Sequence, residues 1–271
     1  MIEITSVKND RIKEVVTLLD KSKTRREQRL FVVEGFRELV NCVNSGYIIE
    51  SIFFNPNIID VNEIDDLIKE DSRSPYVYSV TNDVYAKIAY RESTEGIVAI
   101  MQEKRLTLND VVLPTDNKQN PLILVIENVE KPGNLGALLR TADACGVDAI
   151  LVCDPLTDLY NPNLIRASLG GVFTKQIVVC TNEEAYNWLS ANKIAIFTAQ
   201  LQDSKYYYNT NMVQSCAIVM GSEAYGLSNF WRDVSSAKIN IPMLGKLDSL
   251  NVSVSAAVLC YEAVRQRNMA K

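Results

Sequence analysis

Three runs in the second half of the chain carry no polar residue: Leu122–Ile126 (LILVI), Ala149–Cys153 (AILVC) and Cys216–Met220 (CAIVM). A strand with one wet face alternates apolar and polar positions. A strand without alternation needs cover on both faces, which is the condition of a parallel sheet flanked by helices. Helical periodicity supplies the cover. It predicts helices over Leu135–Cys145, closed by Gly146, around Asn163–Leu169, over Asn182–Ala191 and over Val252–Arg267. Further short strands are expected at Ile177–Val179, Ile194–Thr198 and Ile239–Ile241. In such α/β sheets ligands bind in the crevice beyond the carboxyl ends of the strands.

The first hundred residues also alternate. A helix is expected over residues 8–19, then a strand at Leu30–Val33 and a helix over Glu34–Ser45. The strand Ile48–Phe54, the helix Asn62–Glu70, the strand Tyr76–Val80, the helix Asn82–Tyr90 and the strand Gly96–Met101 follow. A polar stretch at 102–120, with Pro114, separates the two blocks. The expected division is a smaller α/β domain at 1–104, a linker at 105–120 and a parallel-sheet domain at 121–271.

Composition narrows the function. The net charge is −5, so any attraction for nucleic acid must be local. One candidate is the basic run Lys21, Lys23, Arg25, Arg26 and Arg29, opposed only by Glu27. It is either a solvated face or a phosphate-contacting patch. The chain contains 0 histidines, which removes Ser-His-Asp and Cys-His catalysis and the usual histidine metal sites. The 6 cysteines stand in apolar segments without a C-x-x-C, as expected for buried thiols in a reducing compartment and not for zinc. No metal is expected. No apolar leader and no apolar run of about 18 residues is present, so a cytoplasmic, non-membrane protein is expected.

Three turns stand out at strand ends. In VEKPGNLGALLRTADA, Gly133 permits a tight turn and Asn134 is a good helix cap. Arg140 lies almost two turns further on, beside the stripe Leu135, Leu138, Leu139 and Ala142. It either snorkels, pairs with Glu127 or Asp143, or binds phosphate through its planar fork. In IVMGSEAYGL, a glycine at 221 lets a ligand approach the backbone, and Glu223 either holds neighbouring amides or acts on a ligand. In INIPMLGKLDSLNVSVSAAVLCYE, Pro242 ends strand pairing, while Ser249 and Asn251 are cap types before the last helix. Ser253 and Ser255 make more polar residues there than a cap requires. None of these turns is a G-x-G-x-x-G or Walker A loop.

These three stretches, in order and spacing, resemble the three motifs of the SpoU (TrmH-type) RNA 2′-O-ribose methyltransferases of the SPOUT superfamily. The stretch from Lys21 to Phe54 and the segment RESTEGIVAI resemble that family's ribosomal-protein-like RNA-binding domain. The resemblance implies S-adenosyl-L-methionine as cofactor, a structured RNA as substrate, a homodimer, and a catalytic domain tied in a trefoil knot. It implies functional roles for Asn134, Arg140, Glu223, Ser249 and Asn251. Cofactor contacts are implied at Thr198, Ala199, Met220, Gly221, Ile241, Met243, Leu250 and Asn251. It also favours RNA backbone contact by the basic run. Ribosomal RNA is the expected target; a transfer-RNA enzyme, or an RNA-binding assembly factor with a silent methyltransferase domain, is the alternative. Lys131 stands where family members often carry an acidic residue, and no role is assigned to it.

Overall fold

The computed structural model describes residues 2–69, 74–89, 95–114 and 120–270. The ends of two expected helices, Glu70 and Tyr90, lie outside them, as does 115–119 of the expected linker. The chain divides into two compact units. One is Met1–Lys104 with Tyr160–Ile165, the other Arg105–Leu159 with Arg166–Lys271.

The first unit runs β1 (Ile2–Ile4), α1 (Asp10–Asp20), α2 (Ser22–Gln28), β2 (Leu30–Glu34), α3 (Phe36–Asn44), β3 (Ile49–Phe54), α4 (Val61–Ile68), β4 (Tyr76–Val80), α5 (Asn82–Ile88) and β5 (Ile97–Gln102). Its sheet has the order β1-β4-β3-β5-β2, with β5 antiparallel to both neighbours. Ile12, Val15 and Leu18 of α1 pack with Val32, Phe53, Val98 and Ile100 of the sheet and with Val84 and Ile88 of α5. Strand β1 and helix α2 were not expected. The first is only 3 residues long, and the second has no apolar stripe to reveal it. Tyr160 joins this unit by stacking on Phe31, with ring centroids 4.2 Å apart, and by donating to the Lys104 carbonyl at 2.8 Å.

Beyond the first hundred residues the chain continues with β6 (Leu122–Glu127), α6 (Pro132–Ala144), β7 (Ala149–Cys153), α7 (Pro162–Ser168, whose first four residues belong to the first unit), α8 (Gly171–Thr174) and β8 (Gln176–Cys180). Then come α9 (Asn182–Ala191), β9 (Ala195–Ala199), β10 (Lys205–Tyr206), β11 (Cys216–Met220), α10 (Asn229–Val234), β12 (Ala237–Asn240) and α11 (Val252–Met269). The sheet order is β10-β12-β9-β11-β6-β7-β8, and every pairing in it is parallel. The uninterrupted runs β6, β7 and β11 are buried along their whole length. Ile123, Val125, Leu151 and Val219 face a cluster with Leu189 and Trp231, to which Leu106, Leu108, Val111 and Leu113 of the connecting stretch are added. Helices α6 and α11 pack against each other. The Arg267 guanidinium of α11 donates to the carbonyls of Asn120, Pro121, Met212 and Gln214. That fork fixes the amino ends of β6 and β11.

Candidate active site

Helix α6 starts at Pro132, with Lys131 as the cap residue, so Asn134 is not the cap that its position suggested. Proline at the first helical position accounts for the shift: its φ is already helical and its missing N–H is one a helix leaves unpaired. The Asn134 side chain, two residues into the helix, is released from capping. Its Nδ2 donates to the Glu223 carboxylate, and its Oδ1 accepts from Asn251 Nδ2 at 3.2 Å. Asn251 is the cap of α11, its Oδ1 receiving the Ser253 amide at 2.9 Å and the Ser253 hydroxyl at 2.7 Å. Three turns far apart in sequence are thus tied by one chain of side-chain hydrogen bonds.

The turn that carries Glu223 is tight. Ser222 and Gly226 exchange backbone hydrogen bonds at 3.2 and 3.0 Å, and Gly226 adopts φ +67°. Gly221 has a steric reason of its own. A Cβ there would lie 2.3 Å from the Gly226 carbonyl carbon and 2.5 Å from the Leu227 nitrogen. The returning loop by itself demands a glycine there. The loop is held from its other side by Glu127, which is fully buried at the end of β6. Its carboxylate accepts from the Ser228 amide at 2.8 Å and Asn182 Nδ2 at 2.9 Å, and Trp231 Nε1 donates to Asn182 Oδ1 at 2.7 Å. Glu127 therefore positions the Glu223 loop and is no partner for Arg140. An acidic residue closing the run LILVIE is the signal that marks it.

Arg140 is exposed and makes no hydrogen bond or ion pair among the described residues. Its second suggested partner, Asp143, accepts from the Thr174 hydroxyl at 2.9 Å and lies 3.7 Å from Lys175 Nζ. Helix α8 backs this turn of α6, since a Cβ on Gly171 would sit 3.5 Å from the Leu139 carbonyl. Arg140 is held at its base and free at its tip. Ser249 is also exposed; its hydroxyl donates to Asp248 at 3.2 Å, outside the Asn134 chain.

The positions expected to hold the cofactor converge on one end of the sheet. Thr198 and Ala199 end β9, Met220 ends β11 with Gly221 next, and Ile241 and Met243 follow β12. These three strands are neighbours in the order β12-β9-β11, and Leu250 adjoins the Asn251 link. Thr198 Oγ1, Gln200 Oε1 and Asn240 Oδ1 are buried there without a hydrogen-bond partner. Unpartnered buried oxygens at adjacent strand ends are costly unless a ligand completes them, so the residues present fit a polar small molecule. Gln200 and Asn240 were not anticipated; polar residues at the ends of apolar strands were the available sign.

The basic run resolves differently from its expectation. Lys21, Lys23, Arg26 and Arg29 are exposed, and Arg29 closes α2 in the left-handed conformation at φ 55°. Arg25 is only 4% exposed. Its guanidinium donates to the Leu18 and Leu19 carbonyls at 2.5 and 3.0 Å. Those carbonyls end α1 and have no helical partner, and a cation complements the negative end of the helix. Arg25 is a structural cap and drops out of the phosphate-contacting set.

Among the described residues, no helix is long and apolar enough to cross a membrane, and no cluster of acidic and thiol side chains is arranged to hold a metal.

Residues 121–261 match the SpoU rRNA methylase family, and residues 9–99 match the MRM3-like substrate binding domain. A 23S rRNA (guanosine(2553)-2′-O)-methyltransferase of Bacillus subtilis is 28% identical, over 96% of this chain and 98% of that protein. A crystal structure of an RNA 2′-O ribose methyltransferase is 34% identical with TM-score 0.80, over 98% of this chain and 100% of that one. An AdoMet-bound rRNA methyltransferase from Sinorhizobium meliloti is 26% identical with TM-score 0.87, over 97% of both chains.

Proposed function

Because the chain belongs to the SpoU rRNA methylase family, we propose that it is an S-adenosyl-L-methionine-dependent enzyme that methylates a ribose 2′-hydroxyl of ribosomal RNA. The observation that carries this reading is the side-chain link from Glu223 through Asn134 to Asn251. It gathers the three motifs beside the strand ends, with Arg140 unpaired on the same helix as Asn134. The Bacillus subtilis relative, which acts on 23S rRNA, supports the substrate, and the AdoMet-bound Sinorhizobium meliloti rRNA methyltransferase supports the cofactor.

When bound, S-adenosyl-L-methionine supplies a methyl group activated by a sulfonium centre. Thr198, Gln200 and Asn240 would offer it their unpartnered oxygens, and the turns at Ala199, Met220, Gly221, Ile241, Met243 and Leu250 would offer backbone groups. The protein's main task is positioning an attacking hydroxyl and stabilising its developing negative charge. Arg140 remains protonated and cannot act as a base. It grips the phosphate beside the target ribose and faces the developing alkoxide. The proton leaves to phosphate or water, directly or relayed through the Ser249 hydroxyl. Glu223, Asn134 and Asn251 keep the three turns in register during this step.

Lys21, Lys23, Arg26 and Arg29 contact RNA backbone in this reading. The protein acts in the cytoplasm as a homodimer with a trefoil-knotted catalytic domain. The exposed apolar residues Leu244, Leu247, Val254 and Tyr261 of the last loop and α11 support a self-association surface.

The test is methyl transfer from labelled cofactor to total RNA of cells lacking the gene, with the modified nucleotide mapped. One new 2′-O-methyl site in ribosomal RNA is expected. Cofactor binding by calorimetry without transfer to any RNA would leave a silent domain; transfer to transfer RNA alone would overturn the ribosomal assignment.

A further inference from the structure

The loops that carry Glu223 and Asn134 have a second side. Asn128 and Glu130, just before α6, and Tyr225 to Ser228, just after Glu223, line a cleft of about 570 Å³ with Leu156 and Arg232. Two polar atoms in its wall are buried without partners: Ser228 Oγ and Arg232 Nε. The Arg232 side chain makes no ion pair or hydrogen bond among the described residues. A half-buried guanidinium that nothing answers is costly and calls for an acceptor from outside. Tyr225 and Leu156 are 84% and 67% exposed and present flat apolar surface at the same cleft.

The chemistry of these walls discriminates among ligands. A phosphate would suit Arg232 and be opposed by Glu130. A nucleobase satisfies all of them at once, with acceptors for the guanidinium and hydroxyl, N–H groups for the carboxylate, and a face for Tyr225. Guanine matches best. Its O6 and N7 take the fork of an arginine, its N1–H and N2–H₂ suit a carboxylate, and unstacked RNA bases commonly rest on aromatic rings. We propose that this cleft receives the guanine base of the nucleotide being methylated. Arg232 and Ser228 read its acceptor edge, Glu130 its donor edge, and Tyr225 covers its face. The assignment rests on the RNA methyltransferase reading above and adds to it the identity of the base. The cleft shares both its loops with the Glu223–Asn134 link, so base recognition and the alignment of the three turns use one structural unit.

The test begins with mapping the methylated nucleotide as above, then compares RNA fragments carrying guanosine, inosine or uridine at that position, with the unmodified full-length protein. Guanosine is expected to be methylated. Inosine, which lacks the N2 amino group facing Glu130, should show KM raised about tenfold with kcat less affected, and uridine should be poorer still. In Arg232→Ala, KM for the guanosine RNA should rise tenfold or more while cofactor affinity is unchanged; Arg232→Gln, which is shorter but retains a neutral donor, should fall between. A methylated pyrimidine, equal KM for guanosine and inosine, or an unchanged KM in both Arg232 variants would overturn the base assignment and leave the methyltransferase reading standing. Absence of transfer to any RNA by the unmodified protein would remove both.

Discussion

Helices α2 and α6 each carry an arginine of interest, and their roles invert what their surroundings suggest. Arg25 stands in a dense basic run, where any cation looks available to a polyanion. Arg140 stands alone in an apolar helix, where a cation looks like a packing accident. The structure buries Arg25 on the Leu18 and Leu19 carbonyls and leaves Arg140 exposed and unpaired. The difference lies in the neighbouring acceptors. Helix α1 ends directly beside α2 and offers carbonyls that nothing else can answer. The carboxylates that the sequence offered as partners for Arg140 are already engaged, Glu127 by Asn182 and Ser228 and Asp143 by Thr174 and Lys175. Charge density in a sequence reports where cations are; the inventory of acceptors decides which remain free.

The largest expected effect tests the free arginine. Arg140→Ala should lower single-turnover methyl transfer about a hundredfold or more, the order seen when one donor to a developing oxyanion is removed, with an unchanged melting temperature. Arg140→Lys should be nearly as poor, because it keeps the charge and loses the planar fork. Full transfer by the lysine variant, with RNA affinity intact, would break the contrast by showing that charge alone suffices. The buried arginine should behave in the opposite way. Arg25→Ala strips the donors from two helix-end carbonyls and should destabilise the first unit by about 2–3 kcal/mol, read by urea unfolding. Arg26→Ala, on the exposed side of the same helix, serves as the comparison and should leave the unfolding midpoint where it was.

Glu127→Gln comes next in size. Its amide would set a donor against one of the two donors that Glu127 now accepts, a destabilisation of about 1–3 kcal/mol. Because Ser228 anchors the Glu223 loop through this carboxylate, the variant should also show faster amide hydrogen exchange over residues 221–228. Unaltered exchange there would mean that the Asn134 link alone holds the loop.

Much of the fold was legible because burial leaves a mark on composition. The runs LILVI, AILVC and CAIVM had no solvent face, and each is a fully buried parallel strand. The short edge strand Ile2–Ile4 and the polar helix Ser22–Gln28 left no such mark, since neither has a periodic apolar face. At the site, residue types and motif order pointed to the turns now joined by Glu223, Asn134 and Asn251. Their hydrogen-bond assignments were not legible. Asn134 looked like a cap because Asn before an apolar stripe usually is one; Pro132 takes the helix start instead. The steric need for Gly221 was not legible, because the backbone that excludes a Cβ returns only at Gly226 and Leu227. The unanswered Nε of Arg232 had no sequence sign at all, because only the packed structure reveals which donors lack a partner.

The smallest expected effect concerns the exposed face of α2, and it sharpens the comparison by counting charges. If Lys21, Lys23, Arg26 and Arg29 touch RNA phosphates, each neutralised singly should weaken binding only a few-fold. The salt dependence is the more telling quantity. Removing one lysine or arginine from its phosphate should flatten the slope of log affinity against log salt concentration by about 0.7–0.9. Lys23 also lies 3.7 Å from Glu27 with both side chains largely exposed, and so weak a pair should compete little with a phosphate. Arg25→Gln, by contrast, removes a charge already turned inward and should leave the slope unaltered at temperatures where the variant is folded. A slope that falls equally for Arg25 and Arg26 would mean that the guanidinium swings out to RNA, and the distinction between a capping and a binding arginine on this helix would disappear.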